Sequence, residues 1–291
     1  MRYLYYPGCS SEATGKAYDI STRAMMEKLG VELVELDDWN CCGATSYFNV
    51  RELDSFAIAA RNLAIAQQQG DEDLCVICNA CYTTLAKTNR YIEESPEVHE
   101  AVNGALGAVD RSYDGTKAVR HVMDVLINDV GIEALSEKVT RRLTGIKVAP
   151  YYGCQYSRPM GAFDDPEFPT TMDTFFTALG ADVITDYAGK SKCCGGMMML
   201  TKEEGALRLC HELLEGAHKE GADVIVCACP LCEMNLEGYQ PRVNKAFGTN
   251  YDIPVMYFTQ LAGLAFGASP KALALDKQVV PCDRVVAAIP A

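Results

Sequence analysis

The sequence predicts an α/β fold in two tandem, pseudo-symmetric domains, each with a small, mostly parallel sheet. Three observations carry this. The same landmarks occur twice in the same order: Cys9, Leu29-Gly30, Cys41-Cys42-Gly43 and Cys78-Asn79-Ala80-Cys81, then Cys154, Leu179-Gly180, Cys193-Cys194-Gly195 and Cys229-Pro230-Leu231-Cys232. Cys9 and Cys154 lie 145 residues apart, Cys41 and Cys193 152, and Cys81 and Cys232 151, a drift that loop insertions allow. Strand-like and helix-like patterns alternate within each repeat, as in parallel α/β sheets. The cysteines fall at or just after the ends of the predicted strands, the edge where open α/β folds bind ligands.

In the first half, Arg2–Tyr6, Glu32–Leu36 and Leu74–Ile77 are apolar or alternating runs of strand length. Between them, Ala17–Leu29 and Glu52–Gln69 carry apolar residues at helical spacing. In the second half the predicted strands are Lys147–Tyr152, Asp182–Asp186 and Val224–Val226, and the predicted helices are Thr171–Leu179 and Glu203–Lys219. Gly30 and Gly180 stand where a helix C-cap is expected. The stretch 95–145 is mostly helical in pattern and contains the linker, near Leu143–Gly145, giving an N-terminal domain over 1–144 and a C-terminal domain over 145–291. The repeat extends loosely to Arg120-His121-Val122-Met123 and Met256-Tyr257-Phe258-Thr259, each ahead of a helical pattern.

A chain of 291 residues with 49% apolar and 22% charged residues is an ordinary globular composition, which excludes disorder as the main state. No apolar run approaches the ~20 residues of a membrane span, and the N-terminus runs directly into a predicted strand. The expectation is a cytoplasmic protein without membrane contact. With 26 basic and 39 acidic residues the net charge is −13, which argues against a nucleic-acid partner. There is no Walker loop and no Gly-x-Gly-x-x-Gly after a strand, so nucleotide or flavin binding is not expected.

Fourteen cysteines in a chain of this length point to metal or catalysis rather than to a disulfide framework. Each half has one Cys-x-x-Cys hook, an adjacent Cys-Cys pair and a single distant cysteine. Structural zinc takes four ligands, commonly from two separated hooks. Adjacent cysteines suit a larger object with more than one metal, and thiolate is the standard ligand of iron–sulfur clusters. Zinc is the alternative on spacing alone.

The order Cys…Cys-Cys-Gly…Cys-x-x-Cys, present twice, resembles the CCG-domain family and, on length and organisation, the B-type subunits of heterodisulfide reductase from methanogenic archaea. The resemblance covers roughly residues 2–267 and includes the Tyr257-Phe258-Thr259-Gln260-Leu261 run. It implies two noncubane [4Fe–4S] clusters with five cysteines each. Carried over by position, the first takes Cys9, Cys41, Cys42, Cys78 and Cys81, and the second takes Cys154, Cys193, Cys194, Cys229 and Cys232. Cys75, Cys210, Cys227 and Cys282 are left as packing residues, with Cys227 as the substitute for Cys229 if the second hook is misaligned.

The resemblance further implies an oxidoreductase acting on a sulfur group in methanogenesis. It would be the catalytic subunit that reduces the coenzyme M–coenzyme B heterodisulfide to two thiols, each cluster delivering one electron to one sulfur. The implied type is ferredoxin-linked and independent of dihydromethanophenazine. The chain lacks a ferredoxin-type cysteine run, so electrons arrive from partners. The implied partners are a small cubane [4Fe–4S] subunit of the C type, a flavin-containing A-type subunit, and a hydrogenase or formate dehydrogenase. Both coenzymes are anionic, which makes Arg158, Lys190 and Lys192, the basic residues near Cys154 and Cys193 in sequence, the substrate-binding candidates. Met197, Met198 and Met199 are expected to pack over the second cluster loop or to line an apolar substrate arm. Two other functions are compatible with the motifs. One is a CCG iron–sulfur subunit of a lactate- or glycolate-type oxidase or of another sulfur-metabolism complex. The other is a zinc-stabilised or purely electron-carrying subunit.

Overall fold

A computed structural model describes residues 1–44, 50–158 and 163–290. It contains two four-stranded sheets, all parallel, interleaved with helices. In the first, β1 (Arg2–Tyr6), β2 (Glu32–Glu35), β3 (Leu74–Val76) and β4 (Val119–His121) lie in the order β2-β1-β3-β4. In the second, β5 (Lys147–Tyr151), β6 (Asp182–Val183), β7 (Val224–Cys227) and β8 (Val255–Tyr257) repeat it as β6-β5-β7-β8. The inner strands β3 and β7 are buried throughout, as expected of parallel strands covered on both faces.

The predicted strands and helices all form, with small shifts at their ends. Glu52–Gln69 and Glu203–Lys219 are helices with the expected bounds, and Lys16–Leu29 ends at Gly30, whose φ of 75° lets its N–H turn back to the carbonyls of Glu27 and Met26. Two differences stand out. The strand expected over Asp182–Asp186 is only two residues long, because the chain leaves the edge after Ile184 N–H bonds the Val148 carbonyl. The fourth strands, β4 and β8, fall in the segments matched between the two tails, ahead of the helical stretch 122–137 and the helix Phe258–Ala265.

Strand register aligns the repeats. Tyr6 pairs with Val76 and Tyr151 with Cys227, so Cys227 corresponds to Val76 and Cys229 to Cys78. His121 pairs with Val76 and Tyr257 with Cys227, which makes His121 and Tyr257 equivalent.

The halves contact each other through duplicated features. Tyr18 of the first half stacks on Tyr257 of the second, with ring centroids 4.4 Å apart and ring planes nearly parallel. Phe163 of the second half, which is to Cys154 as Tyr18 is to Cys9, stacks on His121 of the first at 5.5 Å. Asn79 and Thr83, on the helix Asn79–Glu94, donate to the carbonyls of Tyr152 and Gln155 at 3.0 and 2.9 Å. Ser21 and Thr259 share a buried hydroxyl–hydroxyl bond of 2.7 Å between the helices Lys16–Leu29 and Phe258–Ala265. Among the described residues, no helix is long and apolar enough to cross a membrane.

Candidate metal centres

In a sheet ordered β2-β1-β3-β4 the chain leaves β1 to one side and returns on the other, and ligands bind where the carboxyl ends of these strands diverge. Cys9 follows β1, Cys41-Cys42 follow β2, and Cys78 follows β3 as the N-cap of Asn79–Glu94. The second half repeats this, with Cys229 as the N-cap of the helix Pro230–Glu237. In both hooks the second cysteine lies in the first helical turn, so each pair of sulfurs sits at the positive end of a helix.

The sulfurs form one row. Cys9 interacts with Cys41, Cys41 with Cys42, Cys42 with Cys81, and Cys81 with Cys78. Cys78 meets Cys229 of the other half, from which the row runs through Cys232, Cys194 and Cys193 to Cys154. The Cys42–Cys81 and Cys194–Cys232 sulfurs are 3.2 and 3.5 Å apart. Cys9, Cys154 and Cys193 are exposed, while Cys78 and Cys229 at the junction are buried.

Cys41 and Cys193 are favoured as thiolates in both halves. Cys41 accepts from Cys42 and Cys9 and from the Gly43 N–H, and Cys193 accepts from Cys154 and Cys194 and from the Gly195 N–H. Their donors Cys9 and Cys154 are correspondingly pushed up, first by these bonds and then by burial.

The donor set decides what such a row can hold. A tetrahedral zinc with Zn–S bonds of ~2.3 Å holds its sulfurs about 3.8 Å apart around a single point. Among the described residues, no group of three or more His, Cys, Asp or Glu side chains is arranged to hold one metal ion. Five thiols strung pairwise on each side fit a polynuclear, sulfide-bridged centre better than one ion. The backbone leaves room for it. Gly8 and Gly153, at φ of 78° and 68°, are equivalent, and a Cβ on either would come within 3.1 Å of the Cys81 sulfur or 3.2 Å of the Cys232 sulfur.

The remaining cysteines, Cys75, Cys210, Cys227 and Cys282, are buried. Cys210 also touches the loop of the row, because its Sγ donates to the Cys194 carbonyl at 3.3 Å. Asn235 was not anticipated from the sequence. Its Nδ2 donates to the Cys194 carbonyl at 3.2 Å, to the Gly196 carbonyl at 3.0 Å and toward the Cys194 sulfur at 3.5 Å. Behind it, burial and the neighbouring Glu237 push the Glu233 carboxyl up, and Glu233 accepts from the Tyr257 hydroxyl at 3.2 Å.

The basic candidates are placed unequally. Lys190 is held inward, its ammonium 3.0 Å from the buried Asp173 carboxylate and bonded to the Thr185 carbonyl, so its charge is already matched. Lys192 is exposed, 3.6 Å from Glu212. Arg158 donates to the Ser191 carbonyl at 2.8 Å and lies 3.5 Å from Glu167. Met199 is buried, whereas Met197 and Met198 are exposed, so packing over the loop falls to Met199 alone. A cavity of about 490 Å³ opens beside Cys9 and Cys41, lined by Trp39, Glu12, Glu35, Asp37 and Asp38, of which Glu35 is paired with Arg23 and Asp38 with Arg61.

The CCG family, described as a cysteine-rich domain, matches residues 3–86 and 148–237. The chain is 32% identical over 280 residues to the B-type subunit of the ferredoxin/F(420)H(2)-dependent CoB-CoM heterodisulfide reductase of Methanosarcina acetivorans, covering 94% of this chain and 92% of the relative. It is 31% identical over 285 residues to the 8-methylmenaquinol:fumarate reductase membrane anchor subunit of Wolinella succinogenes, covering 97% and 98%. A hypothetical protein from Helicobacter pylori shares the fold at a TM-score of 0.76 and 15% identity, covering 96% of this chain and 52% of that one.

Proposed function

The chain belongs to the CCG cysteine-rich domain family, and on that premise we propose that it is the disulfide-reducing subunit of an iron–sulfur electron-transfer complex. Its substrate in this reading is the mixed disulfide of coenzyme M and coenzyme B. Cleavage follows R–S–S–R′ + 2 e⁻ + 2 H⁺ → RSH + R′SH, and two one-electron centres, of the noncubane [4Fe–4S] kind with five cysteines each, supply the two electrons when bound. The observation that carries the proposal is the duplicated row of five sulfurs, joined at Cys78 and Cys229.

The protein's own part is to hold and shield. Cys9, Cys41, Cys42, Cys78 and Cys81 ligate on one side, and Cys154, Cys193, Cys194, Cys229 and Cys232 on the other. The buried Tyr6 and Tyr151 back the two rows and donate their hydroxyls, both at 2.7 Å, to the Asn40 and Lys192 carbonyls, fixing the loops that present Cys41 and Cys193. With all ten thiols engaged, none is free for thiol–disulfide exchange, which needs an attacking protein thiolate. Glu12 and Asp37 in the cavity beside Cys9 disfavour an anionic disulfide there, which supports approach from the side that carries Arg158. Of the basic candidates, Arg158 and Lys192 keep charge within reach of solvent, and Lys190 serves mainly to position Tyr152 and Asp173.

Electrons reach the chain through partner subunits, a small one with cubane clusters and a flavin-containing one. The Methanosarcina relative's name joins ferredoxin with F(420)H(2), so the proposal extends to either ultimate donor. The Wolinella relative supports a second reading, in which the same centres only pass electrons to a different catalytic subunit. Iron, acid-labile sulfide and heterodisulfide turnover measured on anaerobic protein with its partner subunits separate these. About eight irons with turnover establish the reductase, whereas about eight irons without turnover favour the electron-carrying subunit. About two zincs and little iron overturn both.

A further inference from the structure

The two rows of sulfurs are nearly equivalent in their backbone surroundings. Gly43 N–H bonds Cys41 and Ala44 N–H bonds Cys42, just as Gly195 and Gly196 N–H groups bond Cys193 and Cys194. These contributions cancel between the halves. The side chains break the equivalence, first of all three residues after the last cysteine of each hook. There the first half has Thr84, whose hydroxyl turns back to the Ala80 carbonyl at 2.8 Å and reaches no sulfur. The second half has Asn235, whose amide is directed at the Cys194 peptide and sulfur and at Gly196. A second difference works on the same peptide: Cys210, where the first half has Ala59, donates to the Cys194 carbonyl. Asn235 is 1% exposed, so its dipole acts with little screening.

An N–H group directed at a ligating sulfur stabilises the more negative, reduced state of the centre and raises its potential. We propose that Asn235 makes the two redox sites inequivalent, setting the second-half centre at the higher potential, so that electrons moving along the row collect in the second half. This rests on the reading that each half holds an iron–sulfur centre. It assigns an order to the row: the first electron to arrive is held in the second half, and the first half takes the next.

The test is a potentiometric titration followed by electron paramagnetic resonance, on anaerobic full-length protein, with iron and sulfide measured on the same samples. The wild type is expected to show two reduction steps. Asn235→Thr, which copies the first-half residue, is expected to move the upper step to more negative potential and leave the lower step in place. Thr84→Asn, which copies the second-half residue, is expected to move the lower step upward. An Asn235→Thr protein with full iron whose upper step stays put, or in which only the lower step moves, overturns the assignment. Where Asn235→Thr loses iron from one half, Thr84→Asn decides alone, and an unmoved lower step in that variant overturns the proposal. A wild type without iron refutes the iron–sulfur reading instead, so the two failures are distinct. A purely structural role for Asn235 predicts lower stability with unchanged potentials.

Discussion

Replacing Gly153 by alanine tests the cradle directly. At φ of 68° an L-residue carries about 1–2 kcal/mol of backbone strain. The new Cβ would also lie 3.2 Å from the Cys232 sulfur, inside a normal contact of about 3.5–4.0 Å. To relieve it the sulfur must move by roughly 0.3–0.8 Å, beyond the ±0.2 Å within which metal-ligand distances hold. Gly153→Ala is therefore expected to fold yet lose the second centre, lowering iron from about eight to about four per chain. Gly8→Ala does the same to the first centre, where the Cβ would meet the Cys81 sulfur at 3.1 Å. Gly30→Ala is the control, because Gly30 has φ of 75° and nothing within 4 Å of an added Cβ. It carries the same backbone strain and is expected to keep all its iron. Full iron in Gly153→Ala, or equal loss in Gly30→Ala, would refute the reasoning.

Three further outcomes follow from the geometry. Cys229→Ser is expected to lose about half the iron and Cys227→Ser none, because register aligns Cys227 with Val76 rather than with Cys78; iron content of the two variants checks it. Lys190→Ala strands the buried Asp173 and is expected to lower stability by about 3–5 kcal/mol, whereas Lys192→Ala, in an exposed pair, changes it by less than about 1 kcal/mol, as paired denaturation curves would show. His121 is fully buried, which lowers its pKa from 6.5 to about 3, so between these values the unfolded chain binds the extra proton and stability falls as pH falls. The loss between pH 7.5 and 5.5 is about 1.4 kcal/mol and is absent in His121→Phe, apart from a pH-independent offset for its lost bond to the Met123 N–H. Glu233 has the opposite slope, so the comparison of the two proteins' denaturation midpoints across pH is the measurement, and parallel curves would refute it.

The cysteine pattern carried most of the architecture, because the repeat of Cys9, Cys41-Cys42 and the Cys78 hook is written in residue identity and needs no contact information. Strands long enough to show alternation were recognisable, Arg2–Tyr6 among them. Val119–His121 and Val255–Tyr257 were not, since both run directly into helix and neither is followed by a hook cysteine of the kind that marked Leu74–Ile77 and Val224–Val226. The relation of Lys190 to Asp173 spans 17 residues with no local pattern, which is why nearness to Cys193 in sequence suggested a freer charge than the fold allows. Asn235 was visible in principle: laying the hooks over each other sets it against Thr84, but only the folded loop shows that its amide reaches Cys194.

The loops of each half are completed by the other. Asn79 and Thr83 hold the Tyr152–Gln155 backbone, and in return Tyr257 and Phe163 are stacked on partners from across the molecule. Two copies of one such unit, assembled as a symmetric pair, would be bound to present identical surroundings to both centres, since any change made in one appears in the other. Joining them into a single polypeptide lifts that constraint. Positions such as 84 and 235 are then inherited separately, and a molecule that keeps the outline of a twofold object can have one side that gives and another that takes.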